Sequence, residues 1–150
     1  MRRRRYALDT NVFIRATRES DWREHLERFH AAFAPFEVLS AVVAQELRAG
    51  VRGDAEKALE QSLLRPFEAR GRVIVPSYAA WKGAGEVLSA LIEARTVRWT
   101  GVTRSFVNDV LLALSCREEG VVLVTENQRD FARIAKVRRF DFVAPWPLPR

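Results

Sequence analysis

Residues Ser105–Phe131 read SFVNDVLLALSCREEGVVLVTENQRDF. From Ser105 to Glu118 apolar side chains occupy nearly every side of a helical projection, which predicts a helix running through a core. Gly120 ends that helix, because glycine readily takes the left-handed conformation that closes a helical turn. Val121–Val124 then forms a short, unalternating apolar run, the pattern of a strand covered on both faces. A buried helix leading straight into a buried strand is the repeating unit of a layered α/β domain. Inside it, Asp109 is followed by Val110, Leu111 and Leu112 and preceded by Phe106 and Val107. A carboxylate in such company is costly unless something compensates it.

Similar apolar runs occur at Tyr6–Leu8, Phe36–Leu39, Val73–Val75 and Phe140–Val143. Between the strands lie segments of helical character at Asp21–Phe33, Ser40–Ala49, Asp54–Arg70 and Ser77–Arg95. Alternating strands and helices predict an α/β domain with a largely parallel sheet, occupying residues 1–150 as one unit. Ser40 and Ser77 are placed to cap helices, Gly71 to end one, and Pro76 to close the third strand. Irregular chain is expected from Pro145 to Arg150, and a frayed, solvated terminus at Arg2–Arg5.

The chain has 150 residues and 48% hydrophobic content, enough for one continuous core without disulfides or a structural metal. Its formal charge of +6 implies attraction to polyanions. Only Lys57, Lys82 and Lys136 are lysines among the 25 basic residues. Arginine forks suit phosphate recognition, although genomic compositional bias would produce the same preference. The single cysteine, Cys116, excludes an intramolecular disulfide and fits a reducing cytoplasm. Asp9 and Asn11 interrupt the first apolar stretch, so no signal core is expected there, and no run is long enough to span a membrane.

Four acidic positions adjoin the predicted core. Asp9 directly follows the first strand, where ligands of parallel sheets collect, although it could equally cap a helix. Glu46 falls at the margin of the apolar stripe formed by Val43 and Leu47. Asp109 would sit in the first turn of its helix, where it could merely complement the positive helix end. After the fourth strand come Glu126, Asn127 and Asp130; Asn127 can ligate through its carbonyl, while Asp130 can ligate or cap a short Phe131–Ala135 helix. A divalent cation allows such carboxylates to converge, and magnesium favours oxygen donors combined with substrate phosphate. In a basic protein, a phosphodiester is the matching substrate, attacked by a metal-activated water.

Leu8-Asp9-Thr10-Asn11-Val12, Glu46-Leu47, Asn108-Asp109-Val110-Leu111-Leu112-Ala113 and Val124-Thr125-Glu126-Asn127-Gln128-Arg129-Asp130-Phe131, in this order, resemble a PIN domain, most closely the VapC-type toxins of toxin–antitoxin pairs. The resemblance covers nearly the whole chain. It implies a three-layer domain with a five-stranded, mainly parallel sheet flanked by helices, and a ribonuclease site using one or two Mg²⁺ or Mn²⁺ ions. By position, Asp9, Glu46 and Asp109 match the acidic metal ligands. Asn127 matches a fourth place that is often Asp in relatives, a departure that bears more on a second metal than on the first. Thr10 would orient Asp9 or a water, with Asp130 auxiliary. RNA as substrate, a cognate antitoxin and a homodimer are the implied partners, in the cytoplasm and with no membrane association.

Two rival functions stand beside this one: a catalytically silent PIN-like module that holds RNA, and an α/β phosphatase. The second usually needs an Asp two residues after its nucleophile, where this chain has Asn11. His25 and His30, five apart, do not align on one helix face and read as solvated. Cys116 reads as a small packing residue. Of Trp22, Trp81, Trp99 and Trp146, Trp99 stands among Arg95, Arg98 and Arg104, and Arg98 and Arg104 are expected to border an RNA groove.

Overall fold

β1 (Arg5–Leu8) lies at the centre of a five-stranded sheet in the computed structural model, which describes residues 3–146. On one side it pairs with β2 (Glu37–Ser40), which pairs with β3 (Val73–Ile74). On the other it pairs with β4 (Val121–Val124), which pairs with β5 (Phe142–Val143). All four pairings are parallel, in the order β3-β2-β1-β4-β5. Every residue of β2 and β4 is buried, so helices cover both faces of the sheet.

Seven α-helices surround it among the described residues: α1 (Thr10–Arg18), α2 (Ser20–Phe33), α3 (Ala41–Gly50), α4 (Gly53–Ala69), α5 (Tyr78–Glu93), α6 (Arg104–Glu119) and α7 (Gln128–Val137). Helices α5, α6 and α7 pack on one another, while α3 touches α1, α4 and α6. The expected caps form. Ser40 Oγ accepts from the Val42 amide, Ser77 Oγ accepts from Ala80, and Gly120 closes α6 at φ 64°. Phe13, Leu39, Leu64, Leu112, Leu123 and Phe131 form the fully buried centre.

Several expectations change. Val12, Phe13 and Ala16 bury one face of α1, a helix that its short length and interspersed arginines hid in the sequence. Phe140 precedes the last strand rather than starting it, because its ring is buried against Phe131 and Phe142. Arg4 and Arg5 are not frayed: Arg4 pairs with Asp141, and Arg5 opens β1 and pairs with Glu119 at 3.4 Å. Arg2 and the tail beyond Trp146 lie outside the described residues. Pro145 and Trp146 are irregular, as anticipated, yet Trp146 packs against Trp22, His25 and Phe29. Nor is His30 simply solvated, since its Nδ1 lies 2.5 Å from Oε2 of Glu37, a carboxylate buried in β2.

Candidate active site

The strand order reverses between β1 and β4, and in open parallel sheets the crevice outside the strand ends at that point is where ligands bind. Leu8 is in register with Val124, and the Asp9 amide donates to the Val124 carbonyl at 2.9 Å. Asp9 and Thr125 therefore leave the sheet side by side. Both are buried, at 4% and 0% exposure. Asp9 caps α1 by accepting from the Thr10 amide at 2.7 Å, so the cap and site readings of this residue coincide in one place. Its other oxygen accepts from the Thr125 hydroxyl at 2.7 Å and from the Asn11 amide at 3.2 Å.

The remaining acids arrive from three helices. Ser40 starts α3 so that half-buried Glu46 reaches α1, where the Thr10 hydroxyl donates to Glu46 Oε1 at 3.0 Å. That hydroxyl thus orients Glu46 rather than Asp9. Asp109 is the sixth residue of α6, past the first turn in which it was expected, because the helix begins at Arg104 with Thr103 as its cap and has no acid in its first turn. Complementing the helix end therefore does not account for it. Asn127, not Asp130, caps α7, accepting from the Asp130 amide. Its own amide nitrogen lies 3.4 Å from Asp109 Oδ2 and 3.2 Å from Asp130 Oδ2. The structure thus brings Asp9, Thr10, Glu46, Asp109, Asn127 and Asp130 to one edge of the sheet.

Electrostatically the cluster is strained. Burial, followed by the charges of Asp9, Glu46 and Asp130, pushes the Asp109 carboxyl up to about 8. Burial also raises Asp9, an effect that the hydrogen bonds from Thr125 and Thr10 oppose. Among the described residues no Lys, Arg or His stands within ion-pair distance of Asp9, Glu46 or Asp109.

An oxygen-only donor set of this kind matches a hard divalent cation. In the present arrangement no three His, Cys, Asp or Glu side chains among the described residues stand close enough to hold one ion. Thr10 engages one oxygen of Glu46 and Asn127 one oxygen of Asp109, which leaves each carboxylate lone pairs for ligation while its outer partner orients it. The chemistry of the donors fits a hard divalent cation.

Thr125 and Asn11 also hydrogen-bond to Asp9, and the sequence alone did not single them out for the cluster. A hydroxyl ending an otherwise apolar strand was the available signal for Thr125, but its meaning depends on the β1–β4 register. Cys116, fully buried, has its thiol pushed up to about 12 by burial, in keeping with a packing role. Arg98 lines a cleft beside Asp130, whereas Arg104 is exposed at the start of α6 and does not line it.

No protein of curated function matches the sequence. A chain in the structure of FitAB bound to an IR36 DNA fragment is 18% identical with a TM-score of 0.70, over 97% of this chain and 98% of that one. The crystal structure of VapBC2 from Rickettsia felis bound to a DNA fragment from their promoter has a chain 26% identical, TM-score 0.64, covering 93% and 97%. DNA-bound VapBC from Salmonella typhimurium gives 23%, 0.69, 95% and 98%. Since the PIN domain family model matches residues 6–137, from β1 to the last residue of α7, this chain belongs to the PIN domain family, whose members are generally nucleases.

Proposed function

We propose that this chain is a metal-dependent endoribonuclease and the toxin of a type II toxin–antitoxin pair. One observation carries the reading: Asp9, Glu46, Asp109 and Asp130 gather at the switch point of the sheet, and their mutual repulsion helps push Asp109 up to about 8. A fold tolerates such repulsion where a cation compensates it.

In this reading Asp9, Glu46 and Asp109 hold the metal, with Asn127 assisting and Asp130 auxiliary. Bound Mg²⁺ or Mn²⁺, as one or two ions, would supply Lewis acidity that activates water and offsets charge on the phosphodiester. The chain's own groups position the acids. Thr125 and the Thr10 amide hold Asp9, the Thr10 hydroxyl holds Glu46, and Asn127 spans Asp109 and Asp130. Arg98 and Arg104 would draw in the strand, and unpaired RNA offers the accessible bases that permit selection. Because the structural neighbours are VapBC and FitAB complexes, a cognate antitoxin is the proposed protein partner, with a homodimer as the assembled form and the cytoplasm as the place of action.

The alternative is a catalytically silent RNA-holding module, favoured by the amide at position 127 in place of a carboxylate. Wild type and Asp9→Asn, incubated with structured RNA with and without Mg²⁺, separate the two. The enzyme reading expects cleavage by wild type only when the ion is present, and a loss of at least about 100-fold in the variant, given that metal supplies several kcal/mol to such reactions. Metal-independent binding without cleavage decides for the module.

A further inference from the structure

A second recess adjoins the acids. It has a volume of ≈ 360 Å³ and is lined by Thr96, Val97, Arg98, Gly101, Thr103, Phe106, Asp130 and Arg133. That volume falls within the range of ligand pockets, roughly 300–1,000 Å³. One wall is the connection from α5 to α6, where Arg98 and Gly101 line the recess and Trp99, in the short 3₁₀ turn Trp99–Gly101, is 73% exposed beside them without lining it. The other wall is α7. Arg133 ties the two together: Nη1 donates to Asp130 at 3.2 Å, Nη2 donates to the Thr96 carbonyl at 2.5 Å, and its guanidinium carbon lies 5.9 Å from the centre of the Phe106 ring. Through Asp130 and Asn127 this arginine is linked by side-chain hydrogen bonds to Asp109. The cleft is thus joined to the acids by a chain of three contacts.

We propose that this cleft seats one unpaired nucleotide of single-stranded RNA next to the phosphate at the acids, with Trp99 stacking on a base, Arg98 meeting a phosphate and Arg133 positioning both walls. Three features suit that ligand. The lining carries two guanidinium groups against one carboxylate, which favours an anion. Arg98 is exposed, lines the cleft and forms no ion pair among the described residues, which leaves its fork available for phosphate. An exposed indole beside a basic groove is the usual platform for bases of a single strand. A duplex would not present an unstacked base to the recess, because its bases remain stacked inside the helix. The proposal rests on the nucleic-acid reading of the neighbouring acids, but it concerns binding and does not need cleavage.

The test is therefore a metal-free titration. The full-length protein, kept in EDTA, is titrated with short oligo(A), oligo(C) and oligo(U), and with an RNA duplex of the same length, while tryptophan fluorescence is recorded. The expected result is quenching by the single strands that disappears in Trp99→Phe, together with about tenfold weaker binding in Trp99→Ala, the size of one lost stacking contact. Arg98→Gln should lower the slope of log affinity against log salt by about 0.7, one phosphate contact on a single strand. Arg133→Gln should narrow the differences among the three homopolymers, and Arg133→Lys should restore them only in part. Both Trp99 and Arg98 are exposed, so these variants should fold as the wild type does. Equal affinity for the duplex, or a change below twofold in both Trp99→Ala and Arg98→Gln, overturns the cleft. If those losses appear and the wild type still cleaves no RNA with Mg²⁺, the nuclease reading fails while the nucleotide cleft stands.

Discussion

Asp109 shows at the level of a single side chain how a site is stored at the expense of stability. Burial and then three neighbouring acids oppose its charge and push its carboxyl up to about 8 from an ordinary 3.8. The folded state therefore holds more protons than the unfolded state between those values, and stability must fall as pH rises from about 4 to about 8. In metal-free protein the melting temperature should decline across that window. Asp109→Asn should flatten the decline and melt several degrees above wild type near pH 8, while Mg²⁺ should raise the melting temperature of wild type there but not of the variant. A scan by differential fluorimetry in which wild type gains stability over the window would contradict this account. The aspartate and its apolar surroundings were legible in the chain. Its depth was not, because α6 starts at Arg104, which carries Asp109 past the first turn.

At the scale of elements, the same residues terminate helices and furnish the site. Asp9 caps α1 and Asn127 caps α7, so both helix ends are anchored at the edge where the acids meet. For Asn127 the two roles can be separated. Asn127→Ala should cost about 1 kcal/mol as a lost cap and also release Asp109 and Asp130 from their shared amide. Asn127→Asp keeps a capping oxygen but adds a negative charge, so in metal-free protein it should be destabilised more at pH 8 than at pH 5, and it should respond more strongly to Mg²⁺. Urea unfolding at the two pH values, with and without the ion, checks this; an Asp variant indifferent to both would show that position 127 is a cap alone. Serine and glycine signals located the ends of α3, α5 and α6 from the sequence, because capping is a local interaction. By contrast, α1 escaped notice: its buried Val12, Phe13 and Ala16 span a single turn, too little periodicity to register.

Taken whole, the molecule combines a formal charge of +6 with an acidic focus at one sheet edge. Attraction to a polyanion should then be long-ranged and salt-sensitive, and affinity for single-stranded RNA in EDTA should fall roughly tenfold or more between about 50 and 200 mM salt if three phosphates are engaged. Filter binding across that range tests it, and a flat response would mean that the arginines serve the fold alone. Strand and helix order, the parallel α/β class, and the residue types suited to a cation were all set by the chain itself, since they depend on local periodicity, turn chemistry and composition. Tertiary structure alone decided that Leu8 pairs with Val124, which sets Thr125 against Asp9, and that the Thr96–Thr103 connection closes on α7 through Arg133. Such contacts join residues many positions apart, and only the pairing register and helix packing of the folded chain bring them together.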